Sequence, residues 1–235
     1  MSTSRQVKEW LESLRALQNP VRADWDRAYH KSQREHWGIT SPDGTCLVKA
    51  WCKGRSEEEI LAMAEALWDT DFFDPMMCAA KMLSVREVKV SSAVWQKLLY
   101  FLQKVDGWAL EDTLAHAAWQ CITTEESLLE ELEAWTVHPN FWMRRAALVY
   151  TLPFAKSGRH LERCLRWAGS YASDKEWFIQ KAIGWWLRVL GENHPEQVVG
   201  FLEVHWTILK SVARREATRK LPLHWRERIV LNVTG

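Results

Sequence analysis

Apolar and polar positions along this chain follow the period of an α-helix almost throughout. Residues 4–18 set the pattern, because Val7, Trp10, Leu14 and Leu17 recur every three or four positions and would share one helix face. Similar spacing returns in later segments, which are separated by short polar connectors. No segment alternates with a period of two for long enough to form a convincing strand. The pattern therefore predicts an all-α chain.

Boundary signals divide this pattern into helices. Asn19-Pro20 ends the first helix, Ser41-Pro42 can cap the third, and Ser56 with Glu59 forms a capping box that opens the fourth. The loops between most helices are short, which favours antiparallel helix pairs. The predicted helices span 4–18, 22–35, 42–53, 56–69, 72–84, 91–103, 107–121, 124–134, 139–154, 157–171, 175–191, 195–206, 208–219 and 223–230.

A repeat runs through these helices. A small residue lies at the centre of alternate helices at Ala79, Ala146, Ala182 and Ala217, and the spacing corresponds to a period of roughly 33–36 residues. The position expected between Ala79 and Ala146 is occupied by Asp112 instead of a small residue. Two helices per period predict one domain over residues 1–235, an α-solenoid of about six HEAT-like repeats whose inner helices line a concave groove. Charged residues directly precede four of these repeat positions and are expected to face that groove. They are Glu111, Arg145, Lys181 and Glu216.

Charge is distributed unevenly along the chain. The net charge is +1, but residues 141–235 hold 16 Lys and Arg against 8 Asp and Glu, which leaves 15 against 22 in residues 1–140. Positive charge concentrated on one part of a fold suits a polyanion such as DNA. The predicted basic ladder comprises Arg144, Arg145, Lys181, Arg188, Arg214 and Arg215. The alternative interpretation is that the charge asymmetry arose by chance and that these side chains are ordinary solvated surface residues.

The helix predicted at 175–191 contains a tryptophan pair with two different environments. Wound as a helix, it gathers Ile179, Ala182, Ile183, Trp186 and Leu190 on a buried face, and Gln180, Lys181, Gly184 and Arg188 on the opposite side. Trp186 is therefore predicted to fill the core, whereas Trp185 lies at the edge of the basic strip. Gly184 is interpreted as a narrow point where DNA could approach. The alternative is that both tryptophans are core residues.

Asp112 is the candidate catalytic residue. Trp108 precedes it by one helical turn and therefore shares its face. A lone carboxylate beside an indole suits a reaction whose transition state gains positive charge, such as glycosidic cleavage through an oxocarbenium-like sugar. The alternative is a structural ion pair between Asp112 and Arg145.

Other chemistries receive no support from the sequence. The chain has no H-E-x-x-H spacing and no C-x-x-C pair among its five cysteines. We therefore expect neither a metal site nor a cofactor, and we expect the cysteines to be free thiols. It also has no apolar run long enough to span a membrane and no signal peptide, so we expect a cytoplasmic, bacterial-type protein.

Four segments resemble the AlkD-type DNA alkylation repair proteins, which are HEAT-like-repeat DNA glycosylases. They read W-A-L-E-D at 108–112, N-F-W-M-R-R-A-A at 140–147, K-E-W-F-I-Q-K-A-I-G-W at 175–185 and A-R-R-E-A at 213–217. The likeness covers nearly the whole chain. It implies excision of cationic N3- and N7-alkylated purines from duplex DNA by a monomer, without a base-specific pocket and with tolerance of bulky adducts.

The resemblance also implies roles for individual residues. Asp112 matches the catalytic aspartate, Trp108 and Trp185 match tryptophans that contact the deoxyribose of the lesion, and Tyr29 matches a tyrosine near the lesion. Arg145 and Arg188 match arginines that hold the DNA backbone.

The chain departs from the family pattern in its N-terminal part. Residues 41–46 lack an arginine that the family often carries, Pro75 stands where a plain helix is usual, and the N-terminal repeats are acidic. These features disfavour DNA contacts there. A non-catalytic HEAT-like module that binds DNA structures or a protein remains the alternative function.

Overall fold

The computed structural model describes the backbone of residues 3–234 and the side chains of residues 4–229. Every regular element in that part of the chain is helical, which confirms the predicted all-α class. None of the described helices is long and apolar enough to cross a membrane. The helices fall into two compact units, Met1–Thr124 and Glu125–Gly235. The grouping of both units into one domain stays a prediction.

The first unit is built around α5. Its seven helices are α1 Thr3–Arg15, α2 Pro20–His30, α3 Ser41–Cys52, α4 Glu57–Trp68, α5 Phe73–Met82, α6 Ser92–Leu102 and α7 Trp108–Thr124. Helix α5 packs against α3, α4 and α7, and α6 closes the unit against α4 and α7. Trp68 and Phe101 stack in its core with ring centroids 4.3 Å apart.

The second unit is built around α12. After a 3₁₀ turn at Glu126–Leu128 come α8 Leu129–Trp135, α9 Phe141–Val149, α10 Leu152–Ser157, α11 Leu161–Ser170, α12 Trp177–Leu190, α13 Pro195–His205, α14 Ser211–Thr218 and α15 Leu223–Thr234. Helix α12 packs against α9, α10, α13 and α14. The fully buried side chains of Trp167 and Trp186 fill this core.

Capping side chains begin several of the helices. Ser56 accepts from Glu59 N and completes the predicted capping box with Glu59. Asn19 caps α2 by accepting from Arg22 N, and Thr40 caps α3 by accepting from Asp43 N, so the cap of the third helix lies one residue before the predicted Ser41. The predicted bounds lie within a few residues of those in the structure for most helices.

Two prolines lie in the first turns of helices, and one of them divides a predicted helix in two. The helix predicted at 139–154 is two helices, α9 and α10, because Pro153 starts a new helix in its first turn. Pro75 lies in the first turn of α5, where a missing N–H costs no helical hydrogen bond. The departure from the family pattern at Pro75 therefore leaves α5 intact.

The small residues that define the repeat lie in the core. Ala79, Ala146, Ala182 and Ala217 are all buried, whereas Asp112 is half-buried. The preceding charged residues were expected to line an open groove. Instead Glu111, Arg145 and Glu216 are buried, and only Lys181 is half-exposed. A charge that is removed from water requires a partner, and the buried Glu216 has two of them, Lys181 and Arg188.

Candidate functional site

A polar clasp fixes the start of α7, the helix that carries Trp108 and Asp112. The carboxylate of Asp106 accepts hydrogen bonds from Ser32 Oγ (2.8 Å) and Gln33 N (3.2 Å) and pairs with Arg34. The clasp ties this start to the connector after α2. Gly107 allows the close approach, since a Cβ there would lie 3.3 Å from the carbonyl oxygen of His30, the last residue of α2.

Tyr29 and Trp108 are brought together by this arrangement. Their ring centroids lie 5.3 Å apart with an interplanar angle of 87°, an edge-to-face contact. Trp25 stacks on the other side of Tyr29 at 4.9 Å and 16°. Trp25 is 59% exposed and Tyr29 is 53% exposed. We call Trp25, Tyr29 and Trp108 the aromatic shelf. Tyr29 and Trp108 were predicted as site residues, and Trp25 was missed, although its i, i+4 spacing from Tyr29 is visible in the sequence.

A stack of aromatic rings supports the shelf. The imidazole of His30 lies 5.6 Å from the ring of Trp108 and stacks on Phe73 at 4.7 Å, and His36 stacks on Phe73 at 3.9 Å. Burial lowers the pKa of His30, although the nearby Asp26 opposes that shift. His30 is therefore neutral at physiological pH and packs as an aromatic ring.

In the second unit, the two adjacent arginines of α9 have different surroundings. Arg144 donates to the carbonyl oxygens of His138 (2.8 Å) and Pro139 (3.1 Å) and to the carboxylate of Asp174 (3.1 Å), so it holds two connectors together. Arg145 is only 2% exposed and lies 5.9 Å from the ring centroid of Trp142. Both were predicted as DNA-binding residues.

Helix α12 meets α14 through the strip that was predicted to be open. Lys181 Nζ lies 2.7 Å and Arg188 Nη1 2.6 Å from the two carboxylate oxygens of the buried Glu216. Burial raises the pKa of Glu216, but the hydrogen bond from Lys181 and the charge of Arg188 outweigh it, and the net shift is downward. The carboxylate is therefore ionised and offsets part of the positive charge of this strip.

Gly184 lies where α12 packs closely against α14. A Cβ on Gly184 would lie 2.6 Å from Glu216 Cβ and 2.8 Å from the carbonyl oxygen of Ala213. The prediction that Gly184 is a narrow point for DNA is therefore wrong. The glycine is buried because two helices meet there, which a wheel of one helix cannot reveal.

The tryptophan pair divides as predicted. Trp186 is fully buried and its Nε1 donates to Thr151 Oγ1 at 3.2 Å, whereas Trp185 is half-exposed. Gln180 was expected on the polar side and is also fully buried. Its amide donates to the carbonyl oxygens of Ala172 and Asp174, both at 3.0 Å, and accepts from the backbone N of Lys210. It fixes the connectors that precede α12 and α14.

The last predicted cations lie on α14. The guanidinium of Arg214 lies 5.2 Å from the ring centroid of Trp206 and donates to the Trp206 carbonyl oxygen at 3.4 Å. Arg215 is exposed. No group of three or more His, Cys, Asp or Glu in the described part of the chain could hold a metal ion.

Comparison with known proteins identifies the family of the chain. The profile of the family described as DNA alkylation repair enzyme matches residues 10–221, nearly the whole chain. The chain belongs to this family. Among curated proteins, no sequence matches the chain.

Solved structures with the same fold come from two bacteria. A predicted DNA alkylation repair enzyme from Enterococcus faecalis is 23% identical, with a TM-score of 0.74 over 88% of this chain and 97% of that one. AlkD2 from Streptococcus mutans is 14% identical, with a TM-score of 0.62 over 94% and 99% of the two chains. At these identities the structures establish the fold as that of AlkD-type helical repeat proteins.

Proposed function

We propose that this protein is a DNA N-glycosylase that excises cationic N3- and N7-alkylated purines from duplex DNA. Membership of the alkylation repair family supplies the general role. The observation that carries the finer assignment is the half-buried carboxylate of Asp112, one turn beyond Trp108 and the aromatic shelf. An acid on a helix face beside exposed aromatic rings suits a sugar or a base better than it suits a protein partner.

The chemistry requires few groups because the substrate is already activated. A purine alkylated at N7 or N3 carries a positive charge, so it leaves with the electrons of the C1′–N bond without needing a proton. The sugar then becomes an oxocarbenium-like cation. The carboxylate of Asp112 stabilises that cation electrostatically. Water adds at C1′ and gives its proton to Asp112 or to solvent, which leaves an abasic site.

The remaining candidate residues would position the DNA. Trp108 and Trp185 would contact the deoxyribose of the lesion, and Tyr29 would lie near it. The backbone contacts are assigned to Arg144, Lys181, Arg188, Arg214 and Arg215, which are all at least partly exposed. Arg145, which the sequence also predicts as a DNA contact, is only 2% exposed and is not assigned one. Such a surface needs no pocket around the base, so bulky N7 or N3 adducts would also be substrates.

The decisive experiment measures base release. Wild-type protein is incubated with duplex DNA that carries one 7-methylguanine, and abasic sites are counted against a blank without enzyme. We expect Asp112→Asn to reduce single-turnover excision by about two to four orders of magnitude, because the neutral amide cannot stabilise the sugar cation. Asp24→Asn removes an exposed carboxylate on α2 and is the matched control.

The alternative, a non-catalytic binding module, predicts a different result. A wild-type protein that binds the duplex but releases no base, from either methylated or bulky-adduct DNA, would favour the module. Equal excision by wild type and Asp112→Asn would remove Asp112 from the mechanism.

A further inference from the structure

Arg34, in the connector after α2, joins three connectors of the first unit. Its Nε donates to Asp71 Oδ1 (2.8 Å) between α4 and α5, and its Nη2 donates to the carbonyl oxygen of Lys104 (2.6 Å) between α6 and α7. Its Nη1 pairs with Asp106 in that last connector. A guanidinium group presents its N–H donors in a rigid fork, so one side chain can hold several segments at fixed angles. We call Arg34, Asp71, Lys104 and Asp106 the arginine hub.

The surroundings of Arg34 keep the hub in one arrangement. The side chain of Arg34 is only 12% exposed, and its backbone N donates to Ser32 Oγ at 3.2 Å. Of its two carboxylate partners, Asp106 is the more buried, with 28% of its side chain exposed against 74% for Asp71. The pair with Asp106 is therefore the less screened by water and the stronger of the two.

Each connector held by the hub borders an aromatic ring of the candidate site. Tyr29 is the second-last residue of α2, Phe73 is the first residue of α5, and Trp108 is the first residue of α7. The imidazole of His30 lies against all three rings, at centroid distances of 5.4, 4.7 and 5.6 Å. A shift of one connector would move one ring against the others. A shift at the start of α7 would also move Asp112, one turn further along that helix.

We propose that Arg34 is a positioning residue for base excision, which sets the orientation of Trp108 against Tyr29 and thereby the place of the Asp112 carboxylate relative to the sugar. This inference rests on the proposed function. Arg34 acts through these groups and does not contact the substrate. Positioning affects rate more than affinity, because a displacement of about 1 Å can cost about 100-fold in rate. The phosphate contacts assigned above all lie in the second unit, so duplex affinity should not depend on Arg34.

The first test separates rate from affinity. Single-turnover excision from a duplex with one 7-methylguanine is followed over a range of protein concentrations, which gives a maximal rate and a half-saturating concentration. We expect Arg34→Ala to lower the maximal rate by about 10- to 100-fold and to change the half-saturating concentration less than about twofold. Asp106→Asn keeps an oxygen that accepts from Ser32 and Gln33 but loses the charge that faces Arg34, so we expect a smaller loss of the same kind. Asp106→Asn carries both tests if Arg34→Ala does not fold.

Two control variants separate positioning from charge and from stability. Arg5→Ala removes an exposed arginine that pairs with Glu9 on α1, outside the hub, and should keep the wild-type kinetics. Val94→Ala removes buried methyl groups from α6 and lowers stability without touching the hub. All variants are assayed at the same interval below their melting temperatures. An equal loss of rate in Val94→Ala and Arg34→Ala would overturn the positioning role, and so would a higher half-saturating concentration at an unchanged maximal rate.

The second test reads the ring geometry without a substrate. The protein is labelled with 5-fluorotryptophan, and the fluorine NMR signal of Trp108 is assigned from its loss in Trp108→Phe. The ring current of Tyr29 shifts this signal, so we expect it to move in Tyr29→Leu and in Arg34→Ala but not in Arg5→Ala. An unmoved signal in Arg34→Ala would overturn the positioning role and leave the proposed function standing. If wild type releases no base although the signal moves, the proposed function fails, and positioning for excision fails with it.

Discussion

The indole of Trp25 lies against Tyr29 with its own outer face in solvent, which is an unusual use of a large apolar side chain. Burial explains other tryptophans of this chain, such as Trp68, Trp167 and Trp186. An exposed pair of parallel rings next to Trp108 instead offers a stacking surface to a base or to the aromatic part of an adduct.

Trp25→Ala tests that interpretation. One stacked base is worth about 1–3 kcal/mol, so we expect affinity for duplex DNA that carries the lesion to fall about 5- to 150-fold. The melting temperature should change little, since the ring is mostly exposed. Trp177→Ala removes an indole of similar exposure, 50%, from the start of α12 and serves as the control. A loss of the same size in both variants would show a general effect of removing surface tryptophan.

Residue roles followed from the sequence where a motif was contiguous. Trp108 and Asp112 share one helix turn, and the division of Trp185 from Trp186 follows from the helical period. Trp25 was missed because its partner Tyr29 was identified by resemblance alone.

At the scale of elements, helix existence and class could be predicted because the apolar period is strong, and the capping box at Ser56 and Glu59 marked the start of α4. The contacts between helices could not be predicted from the sequence. A wheel of α12 separates polar from apolar faces correctly, but it does not show that the polar face meets α14. Gln180, Gly184 and Glu216 therefore pack inside the unit, in positions that a single helix would expose.

Gly184→Ala tests the close approach of α12 and α14. A Cβ at this site would meet backbone atoms of Ala213 and the side chain of Glu216 at 3.0 Å or less, so the helices must separate. We expect a loss of about 1–3 kcal/mol in the free energy of unfolding, measured by urea denaturation. The matched control is Gly200→Ala in α13, where a Cβ meets nothing within 4 Å. There we expect a gain of up to about 1 kcal/mol, because alanine favours the helix. Equal stability changes at the two sites would refute the close-approach explanation.

At the scale of the whole molecule, DNA binding cannot depend on total charge, because the net charge is only +1. It must come from local groups of cations, and these differ in how far the protein neutralises them. Arg215, for example, is exposed on α14, whereas Lys181 and Arg188 share the carboxylate of Glu216. Glu216 therefore stabilises the second unit while competing with phosphates for two predicted DNA contacts.

Glu216→Gln should separate these two effects. At neutral pH we expect the variant to lose about 1–3 kcal/mol of unfolding free energy, because it removes an ionised group that two cations stabilise. The folded-state pKa of Glu216 lies below its ordinary value of 4.5, so its contribution is complete above that pH. The stability difference between wild type and variant should shrink as the pH falls below 4.5, through the lowered pKa. Denaturant titrations at pH 7, 5 and 3.5 would measure it.

The same substitution should tighten DNA binding at neutral pH. With the carboxylate gone, Lys181 and Arg188 no longer have to leave an ion pair to reach a phosphate, so affinity and the steepness of its salt dependence should both increase. Glu192→Gln, which removes a carboxylate that pairs with Lys220, is the control for a general gain in positive charge. Weaker binding by Glu216→Gln would mean that Glu216 orients the two cations for DNA and does not compete with it.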